Sequence, residues 1–182
     1  MDQQQQQQST SSSGNTAGEW AKQCEDGLNN QINLELYASY VYMAMGHYFD
    51  RDDVALKNVS KFFKECSEEE REHANKMVEF HNRRGGNTTY FPIKSPGPFG
   101  PDNFNTIKAM KCALALEVNV NKSLLALHET ANGDPEFQDF IEANYLHEQV
   151  EAIKQLKDYI TNLELVGTGL GEYMFDKHFK SS

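Results

Sequence analysis

Four of the five prolines of this 182-residue chain fall between Pro92 and Pro101, close to Gly85, Gly86, Gly97 and Gly100. A proline inside a helix removes a backbone hydrogen bond and collides with the preceding turn, at a cost of about 3 kcal/mol. The strongest helix breakers are thus gathered in one segment. The long stretches on either side carry apolar residues at intervals of three and four, the helical period. Shorter breaks divide them into helices at about residues 20–50, 54–84, 104–132 and 135–166. Asp134-Pro135-Glu136 is a helix start, with a capping acid, proline at the first helical position and an acid near the positive helix end. Asp52/Asp53 and Asp102/Asn103 are expected to cap the second and third helices. After Gly167, Thr168 is expected to cap a short fifth helix bearing Leu170, Tyr173, Met174 and Phe175.

A helix of about 30 residues is ~45 Å long. The connection from Gly85 to Asn103 reaches ~60 Å when extended, enough to run the length of such a helix. The other connections are short and force antiparallel neighbours. The expected fold is all-α: a four-helix bundle with one long crossover loop and a short fifth C-terminal helix, over residues 19–182. Residues 1–18, rich in Gln and Ser, read as a disordered tail.

The charge balance excludes some functions. Twenty-seven acids against seventeen bases give a net charge of −10, the opposite of a nucleic-acid footprint. No apolar run approaches the ~20 residues of a membrane span, and the N-terminus has no secretory pattern. Cys24, Cys66 and Cys112 are odd in number and widely spaced, which suits neither a zinc motif nor a disulfide framework. A reducing cytoplasm is the expected compartment.

Each long helix carries an apolar stripe, and each stripe is broken near its middle by polar residues. On the first helix Leu28, Ile32, Ala38, Tyr42, Met45 and Phe49 leave one vacancy, filled by Glu35. Glu70 and His73 interrupt the second stripe, Glu117 the third and Gln149 the fourth. Because each lies roughly midway, all should meet at one level of the bundle interior. Three carboxylates buried together would cost many kcal/mol and would raise one another's pKa values, and a bound cation removes both penalties. Carboxylates with one imidazole suit iron, and Glu70-x-x-His73 presents two ligands on one face. One such residue alone is better explained as a helix-edge acid or a satisfied core histidine. Four helices agreeing in height favour a metal site. Asp139, Glu142 and His128 are explained as well by helix-dipole preference, and Glu65, Glu68, Glu69 and Glu72 by a solvated face.

Several segments resemble the ferritin signatures: Gln31-Ile-Asn-Leu-Glu-Leu-Tyr-Ala-Ser-Tyr-Val-Tyr42, Glu69-Glu-Arg-Glu-His-Ala74, Arg84-Gly-Gly86, Leu116-Glu117, Asp139-Phe-Ile-Glu142 and Glu172-Tyr-Met-Phe-Asp-Lys-His178. Ferritin-like proteins are themselves the type case of the one-crossover bundle. The resemblance spans the whole folded region and is to the heavy-chain, ferroxidase-active type. It implies catalytic residues at Glu35, Tyr42, Glu70, His73, Glu117 and Gln149, with Glu70 bridging two irons. It also implies a hollow shell of twenty-four ferritin subunits, of one or two kinds. Threefold channels would be lined by Asp139 and Glu142 with His128 at the approach, and fourfold channels by Leu170, Met174 and His178. Glu69 and Glu72 match the mineral-nucleation face, where Asn75 replaces the further acid of many heavy chains. The implied reaction is oxidation of Fe(II) by O2, with iron as substrate and active-centre metal, peroxide as by-product and no organic cofactor. Two alternatives are a light-chain-like storage subunit, which would lack the interior Glu and His ligands, and a di-iron oxidase. The latter usually has a second Glu-x-x-His, where this chain has Gln149 and Ala152.

Overall fold

The computed structural model describes residues 21–97, 99 and 104–179. The proposed tail at 1–18 and the Asp102/Asn103 cap lie outside these residues. The helices are α1 (Lys22–Phe49), α2 (Lys57–Arg83), α3 (Thr106–Thr130), α4 (Pro135–Ile141), α5 (His147–Val166) and α6 (Leu170–His178), with no strand among the described residues. α4 and α5 are joined by a π-helical segment, Glu142–Leu146. The fourth helix of the sequence reading therefore keeps its ends and acquires a wider turn inside it. The cause is spacing. Phe137, Ile141, Tyr145 and Gln149 are all buried at strict intervals of four, and four α-helical residues turn about 40° too far. A π turn, with its i→i+5 bonds, takes up the drift.

The crossover behaves as its length requires. Near the start of α1, the Asn87 amide donates to Glu25 Oε1 (2.9 Å) and the Thr89 amide to Asn29 Oδ1 (2.8 Å). At the far end, Phe99 packs on Phe104 (4.6 Å between rings) and Tyr48 Oη donates to the Phe104 carbonyl at 2.7 Å. The segment thus spans the length of α1, and α3 runs antiparallel to α1, with Cys24 Sγ reaching the Thr130 carbonyl at 3.6 Å. α5 returns antiparallel to α3, tied by Lys111 to Glu164 at 2.8 Å.

Two of the expected caps are corrected. Asp52 and Asp53 do not cap α2, which begins later, at Lys57; Asp53 instead pairs with Arg51. The α2 amides of Asn58 and Val59 donate to Asp176 Oδ1 of α6 at 2.8 and 3.0 Å. Thr168 does not cap α6 either: the cap position is Gly169 at φ +71°, a left-handed conformation that favours glycine. At α3, Asn105 accepts from the Lys108 amide (3.1 Å), and Glu172 of α6 accepts from the Thr106 amide (2.7 Å). One short helix therefore satisfies orphan donors of two long ones. Asp134 caps α4 as expected and is also gripped by Arg84, with bonds of 3.2 and 2.6 Å.

The bundle interior consists of two separate apolar clusters. One gathers Tyr42, Met45, Phe49, Phe63, Met110 and Leu156 with their neighbours, the other Leu28, Ile32, Met77, Phe80, Val120 and Tyr145 with theirs. Between them on every long helix lies the polar level: Glu35, Glu70, His73, Glu117 and Gln149, all buried.

Candidate metal centre

These five side chains form a chain of contacts across the interior. Glu35 is fully buried and accepts a 2.7 Å hydrogen bond from Gln31 Nε2, one turn earlier on α1. Glu35, Glu70 and His73 each offer a ligand atom, and the three atoms lie within 4.8 Å of one another. His73 Nδ1 is 3.5 Å from Glu70 Oε2. Glu117 is held from two sides: Tyr42 Oη donates to its Oε1, and Gln149 Nε2 donates to its Oε2 at 2.9 Å. The midway positions on four helices do meet at one height.

The electrostatics are those of an anionic site lacking countercharge. Burial, then the charge of Glu70, raises the Glu35 pKa well above the usual carboxylate range. Burial, then the charge of Glu117, pushes Glu70 up to about 8. Glu70 thus senses Glu35 on one side and Glu117 on the other, as a group between two positions must. Burial lowers the His73 pKa, but the hydrogen bond to Glu148 and the Glu35 charge outweigh it, and the net shift is upward. Glu35 Oε2 and Gln149 Oε1 are buried without a hydrogen-bond partner. Unsatisfied acceptors around clustered carboxylates fit a cation, whose coordination would supply what the protein does not. A cavity of about 90 Å³ adjoins the level, lined by Tyr42, Cys66, Glu70, His73, Glu117 and Gln149 among others. It has room for several water-sized occupants.

Sequence reasoning missed two neighbours, Glu148 and Tyr145. Glu148, half exposed, faces His73 Nε2 at 3.3 Å. Tyr145 donates to the His73 carbonyl at 3.1 Å, and its ring stands edge-on to the imidazole at 5.4 Å. Glu69, exposed on the acidic strip, also borders the cavity together with Glu65, and partial burial raises its pKa. The signal available for Tyr145 was its place in the four-residue repeat with Phe137, Ile141 and Gln149; Glu148 lies outside that repeat.

Glu69 aside, the remaining expected residues lie apart from the level. Glu69 and Glu72 border an open groove along α2 with Glu65 and Glu68. His128 Nε2 and Glu142 Oε1 are 2.6 Å apart, with Asp139 exposed about one turn before Glu142. Leu170, Met174 and His178 form an exposed stripe on α6.

The comparisons with known proteins agree with this geometry. Residues 25–166 match the model of the ferritin-like domain. The chain is also 54% identical over 163 residues to the soma ferritin of Lymnaea stagnalis, covering 88% of this chain and 92% of that protein. The chain belongs to the ferritin family. As a ferritin it is a member of an iron-storing family whose chains assemble into multi-subunit shells. Its helical bundle and short C-terminal helix are those of that family, and no described helix is long and apolar enough to cross a membrane.

Proposed function

We propose that this chain is a heavy-chain-type, ferroxidase-active ferritin subunit of the cytoplasm. In this reading it oxidises Fe(II) with O2 at the buried level and deposits ferric oxide inside a twenty-four-subunit shell. The observation that carries the reading is the meeting of Glu35, Glu70 and His73 within 4.8 Å, with Glu117 and Gln149 beyond Glu70. A storage chain without chemistry has no use for buried carboxylates that burial and mutual repulsion render unfavourable. Three free cysteines are compatible with a reducing compartment.

Iron is the substrate here. Glu35, Glu70 and His73 hold the first Fe(II); Glu117, a share of Glu70 and Gln149 hold the second, and Tyr42 orients Glu117. Two Fe(II) each lose one electron, and O2 takes both with two protons to give hydrogen peroxide. Carboxylates favour this direction because added negative charge stabilises Fe(III) over Fe(II). Asp139 and Glu142, with His128, would gather cations at a threefold pore. Leu170, Met174 and His178 would line the fourfold one, and Glu69 and Glu72 would receive ferric ions in the interior.

The test is aerobic Fe(II) oxidation by purified shells. Glu35→Ala and Glu70→Ala should each leave the shell assembled and cut the fast rate by more than the ~100-fold that losing a supporting residue costs. Unchanged rates in both would locate the chemistry elsewhere. Asp139→Ala with Glu142→Ala should slow oxidation in intact shells and not in partly disassembled ones; equal rates in intact shells would reduce these acids to helix-start residues.

A further inference from the structure

His73 is gripped by the fourth helix at three points. Tyr145 bonds its carbonyl and stands edge-on to its ring, and Glu148 faces its Nε2. Both residues come from the π segment or the turn just after it, and π turns inside α-helices are often found at functional sites. A neutral imidazole carries one N–H, so only one of its nitrogens can donate. Nε2 lies 3.3 Å from Glu148 Oε2, and Nδ1 lies 3.5 Å from Glu70 Oε2 on the side of the carboxylate cluster. The nitrogen needed as a metal ligand is the one on the cluster side, and it must be unprotonated there.

We infer that Glu148 is a positioning residue: it accepts the Nε2–H bond of His73 and so keeps Nδ1 free and turned toward Glu35 and Glu70. The inference rests on reading that cluster as a cation site. Its side chain is 49% exposed, so Glu148 keeps its charge in water and acts through the histidine rather than on the cation. The π turn then has a task beyond packing: it fixes which imidazole nitrogen Glu70-x-x-His73 presents.

Two measurements on the assembled full-length protein test this. Solid-state NMR of metal-free shells with ¹⁵N-labelled histidine, assigned against His73→Asn, reads the tautomer. At alkaline pH, where the imidazole is neutral, the Nε2–H form should dominate in the unaltered protein and in Glu148→Gln, whose amide oxygen still accepts, and Nδ1–H should appear in Glu148→Ala. Titration with Zn(II), a redox-inert probe, should find the tight position weakened ~10- to 100-fold by Glu148→Ala and within about threefold in Glu148→Gln. A tautomer unmoved by Glu148→Ala would overturn the inference. So would a Glu148→Gln variant as weak as Glu148→Ala, since the carboxylate would then itself be a ligand. A Zn(II) titration indifferent to Glu35→Ala would instead remove the cation reading, while the metal-free tautomer still judges Glu148 on its own.

Discussion

The two ends of the buried polar level are built from similar side chains and satisfied in opposite ways. At the Glu117 end, one carboxylate accepts from Tyr42 and from Gln149, so both oxygens have donors without any cation. At the Glu35 end, two carboxylates repel each other, Glu35 Oε1 accepts from Gln31, Glu35 Oε2 has no donor, and His73 completes a group of ligand atoms within 4.8 Å of one another. The carboxylate of the first end is satisfied by hydrogen bonds alone, with only the neutral Gln149 Oε1 left over, whereas the second end needs protons or a cation. Buried charge is tolerated where hydrogen bonds balance it and becomes a binding site where they do not. The proposed consequence is a tight position at Glu35–Glu70–His73 and a weaker one at Glu117–Gln149, through which oxidised iron leaves.

The contrast can be broken most severely by His73→Ala. It should lower Zn(II) affinity at the tight position by about 100-fold or more, whereas Gln149→Ala should change that position by less than about threefold. Calorimetric titration of both variants checks this, and similar losses would mean that the ends are equivalent. Adding ligands to the weak end should sharpen the contrast in reverse. Gln149→Glu with Ala152→His places an acid and an imidazole one turn apart beside the cavity. It should tighten the second position by about tenfold or more and slow oxidation after the first round of Fe(II). Repeated additions of Fe(II) read that directly, and undiminished later rounds would count against exit through this end.

A smaller effect should follow pH. With Glu70 at about 8 and an ordinary carboxylate at 4.5, the metal-free fold favours its protonated form. Its contribution to stability is full below about 4.5 and is lost as pH rises through about 8. Metal-free subunits should therefore lose stability across that window, and Glu70→Gln should flatten the decline in denaturant titrations. In the same window cation binding must expel the proton, so Zn(II) affinity should climb with pH and level off above about 8. An affinity flat from pH 6 to 8 would mean that Glu70 is already ionised. Smallest of all, Tyr42→Phe removes one donor from Glu117 and should alter affinity at the weak end alone, by severalfold, about the worth of one hydrogen bond.

Much of this was legible in the sequence because the signals were local or periodic. Proline placement gave the crossover, and interruption of four apolar stripes gave Glu35, Glu70, His73, Glu117 and Gln149. At the start of α2 the local signal misleads for a physical reason. Asp52 and Asp53 are adjacent to α2 in sequence, but a helix amide donates to any carboxylate brought within reach, and Asp176 arrives from the other end of the chain. Glu148 carries no periodic signal, because the helix turns it about 100° from Gln149, and its contact with His73 comes from how the helices pack.

The most direct test of unequal positions is anaerobic Fe(II) titration of the metal-free shell, followed by calorimetry, for the unaltered protein and Glu35→Ala. Two classes of site per chain are expected, differing by about tenfold or more in affinity, with the tighter one lost in Glu35→Ala and the weaker one retained. A single class in the unaltered protein, or a tight class that survives Glu35→Ala, would contradict the assignment.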